Sequence, residues 1–197
     1  LAAVLDFFDG WFAKKLKVGS QFGAELDNLN DIISFGVAPS ILVYFWSTKY
    51  LNSLGWAVTL FFVVCAALRL ARFTTDIYLS NQPIDKQKYF IGIPSPAAAG
   101  LILLTLFAYF EFNLLFFKNP YLNILILFIV GLMMISKVPT FSLKNLSVNS
   151  TYVPSFILFF AIICIGLISN VWITLIICLI VYIASIFYTI IINFKKK

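Results

Sequence analysis

Residues 21–46 read QFGAELDNLNDIISFGVAPSILVYFW, and this stretch decides what kind of molecule the chain makes. Its first third is polar and carries Glu25, Asp27 and Asp31, while its last two thirds are apolar as far as Trp46. The apolar part approaches the roughly 20 residues that a helix needs to cross a bilayer. The stretch therefore reads as a membrane helix entered from an acidic end. Similar apolar runs follow, and helices are expected at about 54–76, 94–117, 121–136, 152–168 and 172–194, with polar loops over 78–89 and 137–151. Pro94 opens its run at a helix start, where a missing N–H does no harm. Residues 1–16 read as the end of another helix, stopped by Lys14, Lys15 and Lys17, with Gly19 in the turn that follows.

Composition points the same way. The chain has 197 residues, of which 62% are apolar and only 11% charged. Its mean hydropathy is +1.00. So few charges could not cover a water-soluble surface. The expected fold is an all-α polytopic transmembrane bundle of about six full spans plus the end of a truncated N-terminal helix. The chain begins at Leu1 and displays no signal peptide, so it reads as N-terminally incomplete, with at least one span missing.

Charge gives an orientation. With the Lys14 end placed in the cytoplasm and the spans alternating, 12 of the 14 basic residues fall on the cytoplasmic side. Only Lys49 and Lys118 fall opposite. That asymmetry follows the positive-inside rule and supports the span count. The net charge of +6 is then a membrane signature. No basic stretch interleaves with aromatics, so no nucleic-acid partner is expected. Cys65, Cys164 and Cys178 lie in apolar runs without paired spacing and read as packing residues. The chain has no histidine, which excludes His-based catalysis and most zinc chemistry. Trp46, Trp56 and Trp172 near span ends read as interface anchors.

Five of the eight acids lie within the first 31 residues. Asp6 and Asp9 are three apart on one helix, and Asp27 and Asp31 are four apart on the next. Those spacings place each pair on one helical face, about 4.5 and 6 Å apart along the axis. A short turn joins the two helices, so the acidic faces can converge. Charges near a membrane are costly, at about 2.5–3.5 kcal/mol each at a span centre, and a divalent cation is the natural offset. Oxygen-only ligands select Mg²⁺, Mn²⁺ or Ca²⁺, which typically bridge carboxylates to phosphate oxygens. Gly10, Ala13, Gly19, Gly23 and Ala24 stand among the acids. They suit either tight helix packing or the close approach of a ligand to the backbone.

The series Asp6-x2-Asp9-Gly10-x2-Ala13-Lys14-x8-Gly23-x3-Asp27-x3-Asp31 resembles the signature of the CDP-alcohol phosphotransferases. It departs at Lys14, where that family usually has Arg; the charge survives but the bidentate fork does not. Four further segments resemble the membrane-embedded phosphatidylserine synthase branch: Ile32–Pro39, Ala67–Phe73, Gly92–Gly100 and Lys137–Ser142. The resemblance covers most of residues 1–145, expected as the catalytic core, and leaves 146–197 as two additional helices.

The resemblance implies that Asp6, Asp9, Asp27 and Asp31 ligate two Mg²⁺ or Mn²⁺ ions, with Asp31 also the general base. It implies that Gly10, Ala13, Lys14 and Gly23 hold the CMP part of CDP-diacylglycerol, and that L-serine is the acceptor. Arg69 and Arg72, three apart at a span end, suit a phosphate or serine's carboxylate, or serve as ordinary positive-inside anchors; Lys137 shares that ambiguity. Ser95, at a helix N-terminus, suits an anion or simple capping. The small residues Ala97–Gly100 let helices pack closely, and a homodimer is usual in the family. The implied location is the cytoplasmic membrane of a bacterium or archaeon, among membrane lipids, with the active site facing the cytoplasm.

Rival readings are a sister enzyme using glycerol phosphate or inositol, a cation transporter, and a non-catalytic scaffold. Gly92–Gly100 speaks against the first. The second would place charge near the bilayer midplane and often repeat it, whereas these acids cluster at one edge. The third gives no reason for four converging carboxylates.

Overall fold

The structure, a computed structural model, describes residues 21–79, 89–136, 139–141 and 153–195. Helix α1 (Gln21–Asp31) continues through a π-helical segment, Ile32–Val37, into α2 (Ala38–Trp46). A 3₁₀ turn at Thr48–Leu51 leads to α3 (Ser53–Leu79). After β1 (Tyr89–Ile91) come α4 (Ser95–Phe112), a 3₁₀ turn at Leu115–Lys118 and α5 (Pro120–Ile135). Strand β2 (Pro139–Phe141), α6 (Val153–Ser169) and α7 (Val171–Lys195) complete the order. This is the expected helical membrane bundle, with two departures.

The helix expected to reach Phe117 stops at Phe112. Asn113 turns into the left-handed region at φ 51°, and its N–H closes on the Tyr109 carbonyl at 2.8 Å, a common way for a helix to end. The second departure is a small antiparallel pair, with Tyr89 opposite Phe141 and Ile91 opposite Pro139. It joins the margins of two segments read as polar loops. Three-residue strands are too short to carry a readable alternation.

Among the described residues, three helical stretches are long and apolar enough to cross a membrane: Glu25–Trp46, Ser53–Arg72 and Ser95–Phe112. Pro120–Ile135, Phe160–Ser169 and Val171–Ile186 are shorter apolar stretches. Outward faces are apolar: Leu60, Val64 and Leu68 line one exposed stripe of α3, and Leu125, Ile129 and Leu132 one of α5. Such faces would be a liability in water and cost nothing against lipid tails.

Lipid also removes the hydrophobic drive between helices, so close packing must hold the bundle. The shared core contains Val43, Phe62, Ala66, Ile102, Leu127 and Ile186, drawn from α2, α3, α4, α5 and α7. Glycines mark the closest approaches. A Cβ on Gly36 would sit 3.1 Å from that of Ala66, and one on Gly100 would sit 2.7 Å from Leu179 Cδ2. Part of the small stretch Ala97–Gly100 is thus used within the chain, against α7. The cysteines are free thiols, with Cys65 in the core and Cys178 exposed.

The end that carries Lys49 and Lys118 is tied by a buried polar knot. Asn123 Oδ1 accepts from Thr105 Oγ1 at 2.6 Å. Its Nδ2 reaches Ser47 Oγ at 3.0 Å and the Phe117 and Asn119 carbonyls at 3.0 and 2.9 Å. Ser47 Oγ donates in turn to the Lys118 carbonyl at 2.8 Å. Aromatic pairs gather at the same end: Trp46 on Tyr109, Trp56 on Tyr44 and Trp172 stacked on Phe110. This is the aromatic belt expected of interface anchors.

Two stability predictions follow from this packing. Asn123→Leu should destabilise the detergent-solubilised protein by about 1–3 kcal/mol, because it takes the acceptor from the buried Thr105 hydroxyl and the amide N–H from Ser47 Oγ and the Phe117 carbonyl. The thermal midpoint should drop by several degrees, and an unchanged midpoint would mean the knot carries no weight. Gly92→Ala should also cost about 1–3 kcal/mol. Gly92 sits at φ +83°, and a Cβ there would lie 2.6 Å from the Met134 carbonyl oxygen. Limited proteolysis and thermal melting would both register the loss.

Candidate functional site

At the end opposite the polar knot, the π-helical segment sets the position of Asp31. The Ala38 N–H bonds to the Ile33 carbonyl, five residues back. Pro39 follows and has no N–H to give, so the ordinary helical ladder is interrupted here. Ser40 compensates, its hydroxyl bonding back to the Gly36 and Val37 carbonyls at 2.7 and 2.9 Å. A wide turn changes the register between the helix before it and the helix after it, and such turns gather at functional sites. Here it lets α1 direct its acids independently of the core-facing side of α2, where Val43 is fully buried.

Within α1, Gly23, Asp27 and Asp31 keep the four-residue spacing of one face. Gly23 and Asp27 are exposed, whereas Asp31 is half-buried with one carboxylate oxygen out of reach of solvent. The acidic face thus passes from open surface into the bundle within one turn.

Arg69 lies within electrostatic reach of Asp31. It projects from α3 and is half-buried. Its Nη1 donates to Ser95 Oγ at 2.7 Å. Its guanidinium lies in electrostatic reach of the Asp31 carboxylate and of the Tyr182 hydroxyl. Charge at membrane depth is tolerated when it faces the bundle interior and finds polar partners, and Arg69 is half-buried there with Ser95 bonded to it. Ser95 is buried in the first turn of α4. The chain enters that helix through Pro94 at φ −58° and ψ 144°, and the Pro94 carbonyl takes the Ala98 N–H at 2.9 Å. The Ser95 hydroxyl is therefore directed at Arg69 and is not spent on capping.

Of the residues singled out in the sequence, the structure brings together Asp31, Arg69 and Ser95, with Asp27 and Gly23 on the adjoining face of α1. Arg72 is half-buried one turn beyond Arg69. Asp6, Asp9, Gly10, Ala13, Lys14 and Lys137 lie outside the described residues. Among the described residues no three acids, cysteines or histidines gather as a metal centre. Asp27 and Asp31 offer two hard carboxylate donors on one face, a donor set suited to Mg²⁺ or Mn²⁺. Tyr182, from α7, is the participant that sequence reasoning missed. It lies in an apolar helix without any motif, and only packing brings it to Arg69.

The family model for CDP-alcohol phosphatidyltransferases matches residues 1–137. Three similar proteins are each named CDP-diacylglycerol–serine O-phosphatidyltransferase. That of Mycobacterium leprae is 31% identical over 161 residues, which is 82% of this chain and 53% of the relative. That of Helicobacter pylori strain ATCC 700392 is 36% identical over 146 residues, 74% of this chain and 60% of the relative. That of Methanocaldococcus jannaschii is 38% identical over 139 residues, 70% of this chain and 59% of the relative. The chain thus spans a little over half the length of the curated relatives it matches. With Asp31, Arg69 and Ser95, each from a segment that carried the resemblance, now side by side, the chain belongs to the CDP-alcohol phosphatidyltransferase family.

Proposed function

We propose that the protein transfers the phosphatidyl group of CDP-diacylglycerol to the hydroxyl of L-serine, forming phosphatidylserine and CMP. The observation that carries this reading is the meeting of Asp31, Arg69 and Ser95 at one end of the bundle. An alcohol acceptor needs a base for its proton and, if it is an amino acid, a cation for its carboxylate. Asp31 and Arg69 are those two groups, within electrostatic reach of each other. The names of the relatives support serine as the acceptor.

Serine's hydroxyl is a weak nucleophile at neutral pH and gains from a carboxylate within hydrogen-bond reach. Asp31 Oδ takes the hydroxyl proton as the serine oxygen bonds to the phosphorus that carries diacylglycerol. The bond from that phosphorus to the bridging oxygen breaks, and CMP departs with the bond's electron pair. Arg69, steadied by Ser95, holds the serine carboxylate through a charge-assisted hydrogen bond. Gly23 leaves room for the nucleotide to approach the α1 backbone, with Gly10, Ala13 and Lys14 assigned to the same nucleotide and Arg72 and Lys137 to the acceptor side. Asp6, Asp9, Asp27 and Asp31 would hold Mg²⁺ or Mn²⁺, which when bound neutralises charge on the pyrophosphate and the leaving phosphate. The site faces the cytoplasm in this reading, since the basic excess lies on its side. A homodimer in the membrane belongs to the same reading.

The test is CMP release from CDP-diacylglycerol by the purified protein, with and without L-serine and divalent metal. Release should require both, and EDTA should abolish it until Mg²⁺ or Mn²⁺ is restored. Release driven by glycerol phosphate or inositol and not by serine would replace this reading with that of a sister enzyme. Asp31→Asn should lower kcat by about 10²–10⁴-fold, the range of a lost general base, with protein yield unaffected. Arg69→Lys keeps the charge but loses the fork. It should raise the serine KM about tenfold, the equivalent of about 1.4 kcal/mol, and leave the KM for CDP-diacylglycerol within twofold. An unchanged serine KM would remove Arg69 from the acceptor site.

A further inference from the structure

The last helix lies beyond the family-matched residues 1–137, yet it is built into the core beside the site. Ile186 is buried, Leu179 sits against the position where Gly100 lacks a side chain, and Thr189 is buried with its hydroxyl on the Ser185 carbonyl at 2.8 Å. α7 is thereby fixed along α4, whose first turn holds Ser95. Tyr182 belongs to this packed face and lies partly buried against the core cluster.

Among the described residues, Arg69 Nε and Tyr182 Oη are buried here without a hydrogen-bond partner. Leaving such a donor unmet costs about 1–3 kcal/mol each, and buried polar groups in native proteins are nearly always satisfied. Both are hydrogen-bond donors. Both belong to side chains in each other's electrostatic reach. The other arm of Arg69 is already engaged by Ser95 at 2.7 Å. What the pair lacks is an acceptor; an anionic oxygen, of a carboxylate or a phosphate, suits a guanidinium N–H together with a phenol O–H, and in the proposed transfer the amino-acid acceptor brings a carboxylate that the metal-binding acids would not hold.

We infer that Tyr182 is an acceptor-binding residue, its hydroxyl and the Arg69 Nε–H jointly receiving the carboxylate of the amino-acid alcohol. This rests on the proposed transfer to serine and extends it. In serine the hydroxyl and the carboxylate stand on adjacent carbons, so a compact acceptor can present one to Asp31 and the other to Arg69 and Tyr182. Alcohols without a carboxylate leave both donors unmet. A site built to hydrogen-bond one group rejects analogues that lack it, so α7 supplies part of the acceptor specificity.

The experiment is Tyr182→Phe in the full chain, which keeps the ring and its packing and removes only the hydroxyl. The serine KM should rise about tenfold, with kcat and the KM for CDP-diacylglycerol within twofold and the thermal midpoint within about 2 °C. The preference for L-serine over L-serinamide, which lacks the carboxylate, should narrow about tenfold. Being a ratio within one preparation, that preference survives partial loss of folded protein. A rise confined to the CDP-diacylglycerol KM would assign the hydroxyl to a lipid or nucleotide phosphate and overturn the inference; unchanged serine KM and preference would overturn it equally. Should the wild-type chain release no CMP with serine, the proposed transfer fails by itself. Serine binding, read as a rise in thermal midpoint of wild type and its loss in Tyr182→Phe, then still tests the inference, and equal shifts in both would end it.

Discussion

A single guanidinium organises this bundle. Arg69 is half-buried among helices whose outer faces are meant for lipid, where a lone charge is expensive. Its cost is contained only if several elements turn polar atoms toward it. Ser95 does so from the first turn of α4, Asp31 from the end of α1, and Tyr182 from α7. The same need explains why these helices are fixed relative to one another at this end. A slip of any of them would leave charge exposed to hydrocarbon.

The two ends of the molecule divide the work. At one end, Asn123, Ser47 and Thr105 form a polar knot in which donors and acceptors meet one another, although the neighbouring Thr48 Oγ1 is buried there without a partner among the described residues. Such a network has a structural use, because it ties the end of α2 to α4 and α5. At the other end the network is open. Arg69 Nε and Tyr182 Oη remain unmet, and Asp31 lies at a wide helical turn beside a proline. The knot provides rigidity, and the junction is where the proposed acceptor would find its donors. Glycines serve this arrangement by permitting close contact, as at Gly36 against Ala66 and Gly100 against Leu179.

Much of the architecture was legible in the chain. Apolar run lengths located the helices to within a few residues, and the spacing of Asp27 and Asp31 placed both on one face. Such features depend only on local periodicity, which the sequence states outright. The early stop at Asn113 was not legible, because Asn takes the left-handed conformation only in some contexts. The pairing of Tyr89–Ile91 with Pro139–Phe141 joins residues far apart in the chain, and nothing in either segment names its partner.

The site divides along the same line. Acidic spacing and the glycines between the acids pointed to the family from sequence alone, since one helix turn is enough to create such spacing. That Arg69 bonds to Ser95, and that both lie near Asp31, needed three helices to pack at one end. Tyr182 needed a fourth. Its surroundings in the sequence are uniformly apolar, so its role depends on which neighbours α7 acquires. Charge, hydropathy and period are properties of a stretch of chain, whereas an unmet hydroxyl within electrostatic reach of a guanidinium whose Nε is also unmet is a property of packing, and only the folded bundle creates it.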